Sequence, residues 1–338
     1  MTNMQQLGYL SPSAFSIQNH VVVLPCGGLS AQDVLLWTET DLEKYVSYFS
    51  KALAVDRMFG GFVFHGLSVG KDRFLHPLFV GFGEPSNKND WLRWIESLFA
   101  PNANLYSLFE IVRRHGCPSL DIWVSIPYPH PSQSSFGIVG GSNLDFGSEE
   151  HRYQAVVWWI EQFIRCWKTD YRLEENLNFR GFLWQREAVD GIDESLVKRV
   201  NQYIKSKGFY SMWLPNFGSY GYNKCNELGF DITAMGSNYY GNTPCDYNWI
   251  HHACKFARVH HTGLQITYGK GLIYSEHHLS DYLNVMLLNK AIQDCFFVYE
   301  LPNQTMNDIY RENNLDYKRL YSFIKGTYKK TTYPGIKY

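Results

Sequence analysis

Short apolar runs alternate with longer amphipathic stretches along the chain, and the alternation occurs eight times. The apolar runs have the length of buried parallel strands and predict strands at Val21–Cys26, Gly61–His65, Ile122–Pro127, Arg180–Trp184, Tyr210–Pro215, Ile232–Tyr239, Leu264–Tyr268 and Cys295–Glu300. The clearest of the amphipathic stretches predict helices at Asp41–Val55, Asp90–Phe99, Glu149–Trp167, Glu194–Lys207, Tyr247–His260, Ser275–Lys290 and Gln304–Ile324. Because parallel strands need crossover helices and eight strands close a sheet, the pattern predicts an α/β fold, a single-domain (β/α)8 TIM barrel.

The predicted barrel is not divided by a linker, a low-complexity segment or a sequence repeat. We expect an N-terminal arm at 1–18, the barrel at 19–327 and a C-terminal tail at 328–338. The loop Tyr128–Gly147, rich in Pro, Gly and Ser, follows the third predicted strand. Functional groups of such barrels lie at the C-terminal ends of the strands, so this loop is a candidate rim of a site.

The amino-acid composition is that of a compact globular protein. The 338 residues contain 31 Lys plus Arg and 32 Asp plus Glu, and 19% of them are charged. A charged fraction below the roughly 25% of ordinary soluble proteins excludes a disordered chain, and a net charge of −1 excludes a general nucleic-acid binder. Aromatic residues make up 17% of the chain, which suits stacking on sugar faces but also a large aromatic core.

The N-terminal segment has no basic region followed by an apolar run, and no later stretch approaches about 18 consecutive apolar residues. We therefore expect a cytoplasmic protein that has no membrane partner. The seven cysteines are scattered singly, without a CxxC pair, which favours reduced thiols over a disulfide framework or a zinc ribbon.

Two carboxylates are predicted at the mouth of the barrel. A period of two along the fourth strand places Gly181, Leu183, Gln185 and Glu187 on one side, and Glu187 reaches the mouth if that side faces the lumen. The eighth strand ends in Glu300, for which a solvated rim position is the alternative. Both are candidate catalytic residues.

Other polar side chains lie at or beyond strand ends. The seventh strand carries Gln265 and Thr267 on one face, and polar side chains inside a strand suggest a function. His65, at the end of the second strand, could bind a ligand hydroxyl, although a hydrogen-bonded core histidine is an equal alternative. Asn216 follows the fifth strand.

Cofactors and metals are not expected. The sequence has no GxGxxG, P-loop or serine nucleophile elbow at a strand-to-helix junction. Three pairs of adjacent histidines, 251–252, 260–261 and 277–278, fall on or beside different predicted outer helices, so a metal site is the weaker interpretation.

Several segments in chain order resemble the family catalogued as domain of unknown function 4855, bacterial barrel proteins related in form to glycoside hydrolases. The resemblance runs from about Asn19 to Tyr310 and rests on VVVLPCGG, FGGFVFHG, NDWLRWIESLF, SIPYPHP, HRYQAVVWWIEQF, GFLWQRE, SMWLPNFG, LGFDITAMGSNYYG and SDYL. The family motif Gly-Phe-Tyr-Trp-x-x-Glu matches Gly181, Phe182, Trp184 and Glu187, and Leu183 replaces its Tyr. Further matches are Trp213, Pro215, Asn238 and Tyr239.

The resemblance implies a carbohydrate or glycoconjugate ligand. We expect one cleft lined by the strand-end residues Glu187, Trp184, Trp213, Asn238, Tyr239, Gln265 and Thr267, with His65 and Asn216 also contacting the substrate.

One departure from the family pattern affects catalysis. The family's seventh strand usually reads Gly-x-Glu-x-Glu, whereas Gln265 and Thr267 stand at these positions here. Retaining glycosidases need two carboxyl groups about 5 to 5.5 Å apart, and by that template Glu187 is the general acid/base without its usual nucleophile. Glu300, on the opposite side of the barrel, better suits the roughly 6.5 to 9.5 Å spacing of an inverting pair.

Two hypotheses follow. The first is a glycoside hydrolase that uses Glu187 and a second carboxylate such as Glu300. The alternative is a catalytically inactive pseudoenzyme that binds a glycan, a nucleotide sugar or a protein partner in the cleft. We expect retaining glycosidase activity to be weak or absent.

Overall fold

The computed structural model describes residues 8–29, 33–49, 55–70, 72–241 and 246–338, and contains a closed barrel of eight parallel strands. The first seven residues of the expected arm and Cys245 lie outside the described residues. The barrel strands are Val21–Cys26 (β1), Gly61–Gly66 (β2), Leu120–Ile126 (β3), Leu177–Trp184 (β4), Tyr210–Trp213 (β5), Ile232–Met235 (β6), Gly263–Thr267 (β7) and Phe297–Glu300 (β8). Each strand pairs with its neighbours in the chain and β8 pairs with β1, so the predicted TIM barrel is confirmed.

Helices surround the barrel. Their bounds are Glu39–Val46 (α1), Lys88–Leu98 (α2), Asn104–His115 (α3), Glu149–Thr169 (α4), Glu194–Ser206 (α5), Asn248–His260 (α6), His278–Leu288 (α7), Met306–Glu312 (α8) and Asn314–Ile324 (α9). Short 3-10 turns occur at Pro12–Phe15, Pro77–Phe82, Tyr171–Glu175, Tyr222–Lys224 and Ala291–Gln293. Within the described ranges, none of the helices is both long and apolar enough to cross a bilayer.

Local sequence explains where three helices begin. In α1, α2 and α8 the residue before the helix and an Asp three positions later bond reciprocally to each other's backbone amides. Such capping boxes satisfy two backbone donors that the first turn leaves free. The side-chain pairs are Thr38 with Asp41, Asn87 with Asp90, and Thr305 with Asp308.

The strands divide their side chains between two apolar layers. One layer fills the lumen, with Val23, Val63, Leu183, Ala234 and Val298 among its members. The other lies between the strands and the helices. Since successive side chains of a strand point to opposite faces, each strand contributes to both layers.

Two predicted helices are wrong in part. The helix predicted at Asp41–Val55 ends at Val46, and Ser47–Phe49 pairs instead with Val55–Arg57 as an antiparallel ribbon. Tyr48 of this ribbon stacks on Tyr321 with ring centroids 3.5 Å apart, a contact distant in sequence that local periodicity does not report.

The last predicted helix, Gln304–Ile324, is divided in two. Helix α8 ends at Glu312, and the side chain of Asn313 accepts a bond from the backbone amide of Asp316 to begin α9. Two helices, α2 and α3, lie between β2 and β3, whereas the sequence predicts only one there, so α3 was not predicted. Helix α3 ends at His115, and the next residue, Gly116, has a φ of 59°, the left-handed conformation that closes many helices.

Gly181 in β4 occupies a position without room for a side chain. The pairing of β4 with β3 shifts register between Phe179 and Gly181. A Cβ atom at Gly181 would lie 1.8 Å from the carbonyl oxygen of Tyr210 in β5. The oxygen belongs to the backbone, so relief of the clash would disturb the pairing of β4 with β5.

We therefore expect Gly181→Ala to lower the free energy of unfolding by roughly 1 to 3 kcal/mol, the range for overpacking that shifts the backbone. Urea unfolding followed by circular dichroism measures the change. Gly191→Ala is the matched control, since a Cβ atom there has no neighbour within 4 Å. Equal midpoints for the two variants would contradict the expectation.

Candidate functional site

Glu187 and Glu300 approach the barrel mouth from opposite sides. Three strands separate β4 from β8 in either direction around the sheet. Glu300 is the last residue of β8 and lies level with Thr267 of β7, whereas Glu187 follows β4 by three residues. The two side chains are close enough for the charge of Glu187 to act on Glu300.

The two carboxyl groups hold their protons differently. Burial raises the pKa of Glu300 to about 7, and the negative charge of Glu187 adds to the shift. Glu187 reaches solvent, but the surrounding walls still raise its pKa, while the amide of Asn216 donates a hydrogen bond that lowers it. Glu187 therefore ionises first, and Glu300 retains a proton to near neutral pH.

A cleft with a volume of about 850 Å³ opens beside Glu187, across the ends of β4 and β5. The side chains that line it include His76, Tyr128, Arg186, Glu187, Asn216, Phe217, Asn238 and Trp249. The structure thus brings together Glu187, Asn216 and Asn238 of the predicted site. Asn238 has a φ of 56°, and its amide donates to the carbonyl oxygen of Phe217 at 3.1 Å.

A buried carboxylate holds one wall of the cleft. Asp193 is fully buried and forms an ion pair with Arg152, which is 2% exposed. It also accepts hydrogen bonds from Arg186 at 2.7 Å and from the hydroxyl of Tyr128 at 3.0 Å. Arg186 binds Asp190 as well, at 2.8 Å. These contacts fix Tyr128 and Arg186 on the wall of the cleft. The positive charge of Arg186 is paired with the carboxylates of Asp190 and Asp193.

Gln265 and Thr267 face the lumen, with different environments. The amide nitrogen of Gln265, a residue 4% exposed, donates to the carbonyl oxygen of Ala234 at 2.7 Å and approaches that of Pro215 at 3.4 Å. A Cβ atom on Gly236 would lie 2.6 Å from Oδ1 of Asn216 and 3.5 Å from Nε2 of Gln265. Gln265 therefore lies next to Asn216, the hydrogen-bond donor to Glu187, whereas Thr267 is half-buried beside Glu300.

The structure corrects the expectation of one common cleft, because Gln265, Thr267 and His65 are not among the residues that line it. Trp184, Trp213 and Tyr239 do not line it either. All three belong to the layer between strands and helices. Trp213 is fully buried and donates from its indole to the carbonyl oxygen of Arg186 at 2.9 Å, and the hydroxyl of Tyr239 bonds to Asp281. The physical reason is the period of two, because Trp184 follows a lumen residue and so points outward.

His65 faces the lumen at the end of β2. Its ring centroid lies 5.2 Å from that of His76, and burial lowers the pKa of His65 to about 3, so the imidazole is neutral at physiological pH. Among the described residues, no group of three or more His, Cys, Asp and Glu side chains is arranged to hold a metal ion.

Several side chains at the mouth are not predicted from the sequence. His76, Tyr128, Arg186 and Trp249 line the cleft, and Tyr240 lies beside both carboxyl groups. All lie beyond strand ends, where barrel sites are expected, Trp249 in the first turn of α6 and the others in loops. The sequence pattern does not distinguish them from their neighbours. Tyr128 was included only as the first residue of the loop expected at the rim.

The chain is similar in sequence to one protein family and in fold to several solved structures. The model of the family described as Domain of unknown function (DUF4855) matches residues 22–322. None of the curated proteins matches the sequence. A solved structure of a mutant tryptophan synthase α-subunit from Pyrococcus furiosus is 12% identical, with 92% of this chain and 98% of that chain covered and a TM-score of 0.40.

Two other solved structures are of the pneumococcal protein StrH. One, described as a virulence factor studied for N-glycan recognition and hydrolysis, is 10% identical, with 92% of this chain and 83% of that chain covered and a TM-score of 0.42. The other, of the tandem GH20 catalytic modules of this exo-β-D-N-acetylglucosaminidase, is 9% identical, with 92% and 82% covered and a TM-score of 0.42.

The raised pKa of Glu300 makes stability depend on pH. The folded chain binds this proton more tightly than the unfolded chain does, so stability falls as pH rises from about 4.5 to about 7. Glu300→Gln removes the penalty, and we expect it to raise the free energy of unfolding by on the order of 2 kcal/mol at pH 8 and not at pH 4.

Denaturant unfolding of wild type and variant across this pH range measures the difference. Glu96→Gln, an exposed change on α2, serves as the control and should follow the wild-type curve. A difference between Glu300→Gln and wild type that is independent of pH would show that ionisation of Glu300 does not matter.

Proposed function

The chain belongs to the family described as Domain of unknown function (DUF4855), and from its barrel mouth we propose a glycoside-hydrolase-like, carbohydrate-active protein. Glu187 and Glu300 are its catalytic carboxyl pair, and the cleft beside Glu187 holds part of a carbohydrate or glycoconjugate. The observation that carries this proposal is that one barrel mouth holds two carboxyl groups in unequal settings: Glu187 is exposed and bonded to Asn216, whereas Glu300 is more shielded at the end of β8.

The inequality assigns a role to each carboxyl group. Glu300, protonated near neutral pH, is the general acid that donates its proton to the glycosidic oxygen as the bond from that oxygen to the anomeric carbon breaks. Glu187 is the general base that takes a proton from a water molecule as the water oxygen bonds to the anomeric carbon. This division differs from the retaining template, in which Glu187 is the general acid/base.

The positions of the two strands favour inversion of configuration. Inverting enzymes need about 6.5 to 9.5 Å between the carboxyl groups to admit the water, and β4 and β8 lie on opposite sides of the barrel. A retaining mechanism needs a nucleophile closer to Glu187. Gln265 does not meet this need, because its amide is hydrogen-bonded to backbone carbonyl oxygens and does not ionise.

Other residues of the mouth suit a sugar ligand. Trp249 and Phe217 present half-buried rings on the cleft wall, and such apolar faces can stack on pyranose rings. Asn216 and Asn238 supply amide groups beside them. The bond from Asn216 favours the ionised form of Glu187, which is the form a general base requires.

A second candidate function is the pseudoenzyme. Gln265 supports it, since this residue stands where the resembling family has a carboxylate and is committed to a structural role between β7 and β6. In that case the cleft binds a glycan, a nucleotide sugar or a protein partner without turnover.

Hydrolysis of a panel of oligosaccharides, followed by proton NMR of the first-formed anomer, tests the proposal. We expect inversion, and a loss of kcat of about 100-fold or more in Glu187→Gln and in Glu300→Gln. The rate should fall at low pH as Glu187 is protonated and again above about pH 7 as Glu300 ionises.

The controls separate the alternatives. Glu96→Gln should keep wild-type kcat, and Gln265→Ala should remain active if the pair alone performs the chemistry. Retention of configuration or a covalent glycosyl-enzyme would contradict the inverting assignment. Saccharide binding without turnover in the wild type would favour the pseudoenzyme.

A further inference from the structure

A second groove opens at the barrel mouth on the side of Glu300. It has a volume of about 510 Å³ and lies between the loop that follows β7 and the segment from the end of β8 through α8. Tyr268, Gly269, Tyr274 and Gln304 are among the residues that line it. The cleft beside Glu187 is lined by different residues, beyond β4 and β5. The cleft and the second groove therefore flank the carboxyl pair.

Hydrogen bonds between two loops shape the second groove. The backbone amide of Tyr268 donates to the carbonyl oxygen of Glu300 at 2.9 Å, and the side-chain amide of Gln304 donates to that of Tyr268 at 2.6 Å. Farther out, the backbone amide of Lys270 donates to the carbonyl oxygen of Pro302 at 3.2 Å. The groove is thus preformed, and it begins directly beside Glu300.

Two tyrosine rings connect the second groove to the carboxyl pair. The rings of Tyr240 and Tyr274 lie edge to face, with centroids 5.9 Å apart. Burial raises the pKa of Tyr240, and the charges of Glu187 and Glu300 add to the shift, so Tyr240 lies near both carboxyl groups. Tyr274 lines the groove. A ligand that extends from the carboxyl pair into the groove therefore meets Tyr240 and then Tyr274.

The position of Tyr274 depends on close approaches at two glycines. A Cβ atom at Gly269 would lie 2.2 Å from Cζ of Tyr274, and one at Gly241 would lie 2.7 Å from Oγ of Ser275. The Tyr274 ring also packs against His278, with centroids 4.9 Å apart. The ring is only half-buried. A ring that is already fixed and still partly open can stack on a sugar face at little cost in entropy.

The charges around the second groove select the ligand class. Lys270 binds Glu312 at 2.6 Å, and Arg311 binds Asp308 at 2.7 Å, so both cations are held in ion pairs. The exposed side chain of Glu276 adds a further carboxylate to the lining. A uronate, sulfate or phosphate group would meet a net negative wall. Hydroxyl groups, in contrast, can donate hydrogen bonds to these carboxylates.

We propose that the second groove binds the leaving-group side of a neutral oligosaccharide whose other side lies in the cleft, so that the protein cleaves inside a sugar chain. The inference rests on the proposed function, in which Glu300 is the general acid. A general acid must face the glycosidic oxygen that leaves, and the second groove begins beside Glu300. Tyr274 is the stacking platform for the leaving sugar.

NMR titration tests the second groove directly. The probes are neutral oligosaccharides of one to six units, from the β-1,4-linked glucose, xylose, mannose and N-acetylglucosamine series and the α-1,4-linked glucose series. Glu187→Gln replaces wild type for any probe that wild type cleaves. Longer probes should shift the backbone amide signals of Gly269 and Gly271 in the groove as well as those of Gly218 and Ser219 in the cleft.

Tyr274→Ala tests the stacking platform. We expect this variant to weaken binding of the longer probes by about 3-fold to 30-fold, as expected for loss of one stacked ring. It should lower kcat/KM for oligosaccharides by a similar factor and leave that for a 2,4-dinitrophenyl glycoside unchanged, since this substrate has no leaving sugar. Tyr171→Ala is the matched control, because Tyr171 is 75% exposed and precedes β4 at the other end of the barrel.

The outcomes separate the two proposals. If long probes shift the cleft signals alone, or folded Tyr274→Ala keeps wild-type affinity and kcat/KM, the second groove is not a sugar subsite and the proposed function stands. If Tyr274→Ala unfolds, the signals of Gly269 and Gly271 decide the question. Binding in the groove without hydrolysis of any probe would contradict the proposed hydrolysis and the leaving-group assignment. If none of the probes binds, both proposals are contradicted.

Discussion

Closure of the eight-stranded sheet is the constraint on which the site depends. A side chain on a closed sheet points either into the lumen or toward the helices, and the register of the strands decides which residues reach the mouth. The lumen below is filled by apolar side chains such as Val63, Leu183 and Val298. Polar groups at the top of the lumen, Glu300 among them, therefore lie against apolar side chains. This apolar contact explains why burial is the main cause of the raised pKa of Glu300.

The distribution of positive charge reinforces this effect. Arg186 is adjacent in sequence to Glu187, yet its guanidinium binds Asp190 and Asp193. Burial is the main influence on the Glu300 pKa, and the charge of Glu187 adds to it. The buried carboxylate of Asp193 thus holds the guanidinium of Arg186 on the cleft wall. An unpaired guanidinium close to the two carboxyl groups would lower both of their pKa values.

The sequence predicts the site where the period of two applies. Glu187 and Glu300 follow from strand position and alternation, and the structure brings them to one mouth. Trp184 was misplaced because a matched motif identifies a strand but not the face of each residue, although alternation with Leu183 could have done so. His76 lies in a loop, where its backbone amide donates to the carbonyl oxygen of Leu67 at 3.3 Å. Local sequence does not predict such a contact.

The setting of Gln265 bears on the history of the fold. If an ancestor carried a glutamate there, as the family resemblance implies, the amide that replaced it has since acquired two carbonyl neighbours. A single reversion would place a carboxylate oxygen against those carbonyls, so regaining the older chemistry would require compensating changes in β6 and in the segment after β5.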